Sequence, residues 1–185
     1  MKIHFMADLQ GDQENYKRII NCIRKLGHTV ITEHAAVRKY EDVKKETLEE
    51  TQVYVKKMQN WLQQADIVVV ETTTAGISIG FEIALALQYG KQVITIYKPN
   101  LENKAYVICG VDIERLQVVT YNDDNLEASL RLALGYAQEQ VKTRFTMILS
   151  PDINAYLNQI SRRGSNRSEY IRHLIRQDMK KKRQK

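Results

Sequence analysis

Four consecutive β-branched residues, Ile67-Val68-Val69-Val70, run into the carboxylate of Glu71. Branching at Cβ favours extended backbone, and a run with no polar alternation has no face to offer to water. Such a segment predicts the central strand of a parallel sheet, covered by helices on both faces. The flanking sequence fits that prediction. Residues 2–6 read as a short buried strand, broken at Gln10-Gly11-Asp12. Apolar residues at Tyr16, Ile19, Ile20, Ile23 and Leu26 have helical spacing over 13–26, and Gly27 stands where a helix C-terminus takes a glycine. A strand at 28–33, one or two helices over 43–65, a loop at 72–76 and a helix at 77–89 closed by Gly90 follow. Strands at 93–97 and 116–121 and a helix at 124–140 complete the alternation. The order predicts an α/β doubly wound parallel sheet with right-handed crossovers. Ligands of such sheets bind at the carboxyl ends of the strands, which are residues 7–11, 33–34, 71–76 and 97–100.

Charge separates the rest of the chain from this body. Residues 142–185 hold 12 Lys/Arg and 3 Asp/Glu, against 16 and 19 in residues 1–141. A basic end on a mildly acidic body suggests a nucleic-acid-binding module at 142–185, appended to an α/β domain at 1–141. The 185 residues suffice for one ordinary domain and a small one. No stretch approaches the ~18 apolar residues of a membrane span. The N-terminus has too short an apolar run for a signal peptide, and Cys22 and Cys109 stand far apart. A cytoplasmic protein is expected, without membrane partner, disulfide framework, metal or cofactor; Asp112 and Asp123 have no metal-ligand spacing.

Glu82 is the candidate for chemistry. It stands in the first turns of the helix that leaves the central strand, flanked by the apolar Phe81, Ile83 and Ala84. A helix N-terminus favours an ionised carboxylate, which can attack an electrophilic carbon or stabilise a developing oxocarbenium ion. The competing reading is an ordinary exposed Glu near a helix start; the apolar flanks weaken it, because a buried charge is costly without a task. His34, at the end of the second strand, reads either as an acid–base group or, with more weight, as a structural histidine.

The segment from Trp61 to Tyr97, WLQQADIVVVETTTAGISIGFEIALALQYGKQVITIY, resembles the core of the nucleoside 2-deoxyribosyltransferase superfamily, and within it the deoxynucleoside 5′-monophosphate N-glycosidase branch. KIHFMADLQGD and VITEHAAV are similar to that branch too, so the resemblance covers roughly residues 2–135. It implies a flavodoxin-like sheet, a nucleoside or nucleotide ligand, and cleavage of the C1′–N bond of a 2′-deoxynucleoside. It places the catalytic carboxylate on Glu82 and substrate contacts at His4, Asp8, Gln10, Gly11, Gly76 and Gly80. This chain departs from the pattern at several positions. The G-S-x-R-G phosphate loop of the family reads Ala7-Asp8-Leu9-Gln10-Gly11 here, and Asp8 would repel a phosphate. Gly76 replaces a serine, Met58 an orienting carboxylate and His4 an aromatic that is often tyrosine. Two readings stand side by side: a shifted substrate, such as an unphosphorylated nucleoside whose hydroxyls meet Asp8 and Gln10, or a non-catalytic pocket that binds a nucleotide or nothing.

In the tail, Phe145, Met147 and Leu149 alternate with Arg144, Thr146 and Ile148, the period of a strand with one buried face. Ser150 and Pro151 suit the N-cap and first turn of a helix whose apolar face is Ile153, Leu157 and Ile160. After Gly164, Ser165-Asn166 caps a second helix at 167–180, with Tyr170, Ile171, Leu174 and Ile175 inside. One strand and two short helices cannot bury a face alone; pairing with a second copy solves this. RFTMILSP and NRSEYIRHLI resemble the ribbon-helix-helix family of intertwined dimers. That resemblance implies a homodimer that binds DNA, with Arg144, Thr146 and Ile148 facing bases and the amides of Asn166, Arg167 and Ser168 holding a phosphate. Ile148 departs from the usual polar residue, and a module that only dimerises is the alternative. The whole chain thus reads as an N-glycosidase brought to DNA or dimerised by its tail, or as a non-catalytic regulator that senses a nucleotide; a nucleotide-degrading defence component is a weaker third reading.

Overall fold

The computed structural model describes residues 1–74, 76–99, 108, 110–141, 147–162 and 166–183. The chain divides into two compact units, Met1–Lys142 and Thr143–Lys185.

The first unit is a five-stranded, wholly parallel sheet with helices on both faces. In chain order its elements are β1 (Lys2–Ala7), α1 (Gln13–Lys25), β2 (Thr29–Val30), α2 (His34–Val37), α3 (Tyr40–Val43), α4 (Leu48–Gln64), β3 (Ile67–Glu71), α5 (Ile77–Gln88), β4 (Gln92–Tyr97), β5 (Leu116–Thr120) and α6 (Leu126–Gln140). The sheet order is β2-β1-β3-β4-β5, so β3 is central, as its β-branched run predicts. Strand periodicity divides the core in two. Ile3, Phe5, Ile67, Val69, Ile94 and Ile96 face α1 and α6, while Met6, Val68, Val70 and Val93 face Met58 and Leu62 of α4 and Ile79, Ile83 and Ala86 of α5. Each such buried aliphatic side chain contributes about 1.5–3 kcal/mol.

Local signals end the helices where the sequence has them. Asp12 caps α1 by accepting from the Asn15 amide at 3.1 Å, and Thr47 and Glu50 form a capping box on α4. Gly27 and Gly90 take φ of +85° and +71°, the left-handed region that a glycine enters without steric cost. The strand expected over 28–33 shrinks to Thr29–Val30, followed by a single further bond from the Ile31 amide to the Ile3 carbonyl. β2 is an edge strand paired only with β1, and the chain leaves it to begin α2 at His34. Among the described residues, no helix is long and apolar enough to cross a membrane.

The second unit contains α7 (Pro151–Arg162) and α8 (Arg167–Arg183). The Ser150 carbonyl accepts the first bond of α7, from Asn154 at 2.9 Å, and Asn166 starts α8 by accepting from the Ser168 and Tyr170 amides. The helices meet through Tyr156 and Tyr170, whose rings cross edge to face at 6.0 Å. Residues 147–150 form no strand within this chain, and Arg144 and Thr146 lie outside the described residues. Leu157 is buried, but Leu174 and Ile175, expected inside, are 45% and 55% exposed. Two helices offer too little surface to cover both apolar faces.

Candidate active site

The strand order reverses between β1 and β3, because β1 leads to β2 on one side while β3 lies on the other. Their carboxyl ends, Ala7 and Glu71, are register partners, so the loops 8–12 and 72–76 leave the sheet side by side. Crevices of this kind are the ligand sites of doubly wound sheets.

Asp8 ties the two loops together. Its Oδ1 accepts from the Gln10 amide at 2.9 Å, and its Oδ2 accepts from the Gly76 amide at 3.0 Å, at the N-cap of α5. Its carbonyl accepts from the Tyr16 hydroxyl at 2.8 Å and from the Gly11 amide at 3.0 Å. A Cβ on Gly11 would stand 1.8 Å from the Tyr16 hydroxyl oxygen and 2.6 Å from Thr74 Oγ1, so this close approach requires glycine. A Cβ on Gly76 would crowd Asp8 Oδ2 at 2.9 Å, whereas one on Gly80 would meet nothing within 4 Å.

Glu71 is buried at the end of β3. It accepts from the Thr73 hydroxyl, from the Thr73 amide at 3.3 Å and from the Tyr121 hydroxyl at 3.0 Å; Asn15 in turn donates to Tyr121 at 2.6 Å. Burial pushes the Glu71 carboxyl up, and the bonds from Thr73 and Tyr121 oppose that rise. A charge that closes a buried β-branched run was a sequence signal for such a network. Along the chain alone, Glu71 marks no more than the end of a strand.

On the α4–α5 side of the sheet, Tyr54, Trp61, His34 and His4 form an aromatic cluster. His34 stacks on Trp61 with centroids 5.1 Å apart, and its Nε2 lies 2.9 Å from the Tyr54 hydroxyl. The Arg38 guanidinium sits 4.1 Å over the Tyr54 ring and pairs with Glu46. Burial, reinforced by His34, pushes His4 down to about 3; burial and Arg38 push His34 down to about 4. Both rings are therefore neutral at pH 7, which removes them as acids there. His4 is fully buried, and neither ring nitrogen has a hydrogen-bond partner among the described residues.

Glu82 lies on the same side, 9% exposed, and its charge helps raise the Tyr54 hydroxyl above its ordinary range, second to burial. Burial pushes the Glu82 carboxyl up to about 7. This reverses the expected influence of the helix N-terminus. Glu82 is five residues beyond Ile77, past the first turn where the dipole acts, and desolvation prevails. No hydrogen bond or ion pair of its carboxylate is found among the described residues. Of its flanks, Ile83 is buried and Phe81 exposed. The structure thus brings Asp8, Gly11 and Gly76 together, keeps Gln10 and Gly80 exposed, and leaves Glu82 on the adjoining helix without a partner among the described residues. Among the described residues, no group of three His, Cys, Asp or Glu is placed to hold a metal.

In the second unit, Ile148 is fully exposed. The Ser168 amide, a candidate phosphate donor, is already bound by Asn166 Oδ1 at 2.8 Å. The Arg167 guanidinium reaches back to Ser161, Asn154 and Asn158 on α7 instead of projecting freely.

No family model matches the chain. It is 32% identical over 133 residues to the 5-hydroxymethyl-dUMP N-hydrolase of Rattus norvegicus, covering 69% of this chain and 81% of the relative. It is 29% identical over 133 residues to the human protein of that name, covering 69% and 76%. It is 31% identical over 127 residues to a protein of Thermofilum pendens that bears the name 2′-deoxynucleoside 5′-phosphate N-hydrolase 1, covering 66% and 87%. Among solved structures, a CMP N-glycosidase of Clostridium botulinum superposes with a TM-score of 0.50 at 15% identity, over 73% of this chain and 99% of that one. A 2-deoxyribosyltransferase of Bacillus psychrosaccharolyticus gives the same score and identity over 69% and 90%. At that identity the structures speak for the fold alone.

Proposed function

Since the body of this chain belongs to the family of the 2′-deoxynucleoside 5′-phosphate N-hydrolases, we propose that it cleaves the N-glycosidic bond of a 2′-deoxynucleoside or of its 5′-monophosphate. The observation that carries this reading is Glu82: a buried carboxylate with no partner among the described residues, raised to about 7, beside the crevice where such sheets bind ligands. A carboxylate kept unpaired in an apolar helix destabilises the fold, and catalysis is the use that explains its retention.

In the proposed reaction the ionised Glu82 carboxylate attacks C1′, or stabilises the cation that forms there. The C1′–N bond breaks with its electron pair leaving on the base, which takes up a proton. Water then adds to C1′, loses a proton and frees the carboxylate, giving base and 2-deoxyribose or its 5-phosphate. His4 and His34, neutral and enclosed, hold the aromatic wall and carry no proton in this scheme. Base release from the four common 2′-deoxynucleosides and their 5′-monophosphates, followed by chromatography, tests the reading. Release is expected from at least one of them, with kcat/KM rising through pH 7 as Glu82 loses its proton. No release from any of the eight would overturn it.

The tail is proposed as a ribbon-helix-helix module that dimerises and binds DNA. It is supported by the charge of residues 142–185, by the exposed apolar residues of α8 and by the exposed Ile148, which a thymine methyl can meet. Retardation of duplex DNA is expected to weaken steeply with salt and to lose sequence preference in an Arg144→Ala/Thr146→Ala variant. A variant that retards each sequence as well as the wild type does, with the same preference among them, would rule out base reading by the ribbon. The altered loop at Asp8 is what favours the second reading, a DNA-bound regulator whose body senses a nucleotide without cleaving it.

A further inference from the structure

We propose that Asp8 is a specificity-determining residue, acting as an internal substitute for a substrate phosphate, and that this chain takes the unphosphorylated 2′-deoxynucleoside. The inference rests on the N-glycosidase reading of the same crevice. Two helix N-termini open on the carboxyl ends of β1 and β3: α1 after loop 8–12 and α5 after loop 72–76. In such a crevice these are the natural seats of an anion, with free amides and the positive end of the dipole. Both are taken by carboxylates of the chain itself. Asp12 Oδ1 binds the Asn15 amide of α1, and Asp8 Oδ2 binds the Gly76 amide of α5.

Gly76 makes this possible, because a side chain there would stand 2.9 Å from Asp8 Oδ2. The second oxygen, Oδ1, is held by Gln10, so the carboxylate is fixed on both sides. Lys98, whose amide donates to Thr73 Oγ1, and Arg18 of α1 are also occupied, since both pair with Asp123. A 5′-phosphate entering here would meet a fixed like charge, with the α5 amide already donated and neither of these cations free.

A neutral 5′-hydroxyl meets the opposite conditions. Each Asp8 oxygen accepts one amide proton and keeps a second lone pair. A sugar hydroxyl can donate to it in a charge-assisted hydrogen bond. The group that repels the phosphate is therefore also the one that anchors its replacement.

The test compares 2′-deoxynucleosides with their own 5′-monophosphates, on the full chain and on its Asp8→Asn variant. Asparagine keeps an oxygen for the Gly76 amide and removes the charge. Wild-type kcat/KM is expected to favour the nucleoside by about tenfold or more, and Asp8→Asn to shrink that ratio by about as much, chiefly through KM for the monophosphate. A wild-type preference for the monophosphate, or an unchanged ratio in Asp8→Asn, overturns the proposal. If neither compound is cleaved, the N-glycosidase reading fails, and calorimetric binding of the same two compounds decides the role of Asp8 by itself. Tighter binding of the nucleoside upholds it, and tighter or equal binding of the monophosphate refutes it. Should Asp8→Asn not fold, the wild-type ratio gives the answer.

Discussion

Replacing Glu82 with Gln is expected to lower base release by about 10³-fold or more, with little change in KM. The amide matches the carboxylate in shape and leaves the packing of Ile79, Ile83 and Ala86 on the same helix undisturbed. It removes the negative charge and the nucleophilic lone pairs, and the cation-like carbon of the transition state is what those serve. The loss therefore falls on kcat, because the ground-state sugar carries no such charge. Single-turnover base release, read by absorbance or chromatography on variant and wild type, checks this. A variant that keeps even a tenth of the wild-type rate would remove Glu82 from the chemistry. It would also detach the pH dependence near 7 from the carboxylate to which it is assigned.

The same substitution is expected to flatten the pH dependence of stability. In the unfolded chain Glu82 ionises near its ordinary 4.5, whereas burial holds its proton to about 7 in the fold. Between these values the folded state binds a proton that the unfolded state has released, so the contribution of Glu82 to stability falls as pH rises. Above 7 the full penalty of ionising it inside the fold is reached, on the order of 3 kcal/mol. In a chain of this size that amounts to roughly 5–10 °C in Tm. Glu82→Gln has no such term. The gap between variant and wild-type Tm is thus expected to move in favour of the variant by that amount from pH 4.5 to pH 8. Glu71, also raised by burial, is present in both proteins and cancels from the comparison. Calorimetric scans at the two pH values measure the gap, and a gap that stays constant would place Glu82 in contact with solvent. Loss of activity together with gain of stability is the combination that a purely structural glutamate does not produce.

Much of the fold is legible along the chain because its causes are local. The β-branched run at 67–70 has only one comfortable position, the middle of a parallel sheet, and it takes that position. Gly27 and Gly90 end helices because the left-handed turn they occupy disfavours a Cβ. Ser150-Pro151 and Asn166 begin helices by the same short-range chemistry. The second strand is shorter than 28–33 because a β-prone stretch does not reveal how many partners the edge of a sheet provides. Helical spacing marks the apolar face of Leu174 and Ile175 without supplying what covers it.

The candidate site divides along the same line. The position of Glu82, on the helix that leaves the central strand, follows from sequence order alone. Its protonation does not: a helix start argues for an ionised carboxylate, and only the packing around α5 produces the desolvation that raises it to about 7. Asp8 reads in sequence as a charge that repels phosphate, but its grip on the Gly76 amide spans 68 residues. The bond from Asn15 to Tyr121, which supports Glu71, spans 106. Such partners meet because parallel strands bring their carboxyl ends to one edge, and local periodicity carries no information about which side chains meet there. Sequence by itself determined the order and type of the elements, the basic end and the place of the lone carboxylate. Tertiary structure decided which of the described charges are buried and which are paired, because desolvation and hydrogen bonding act through distances in space and not along the chain.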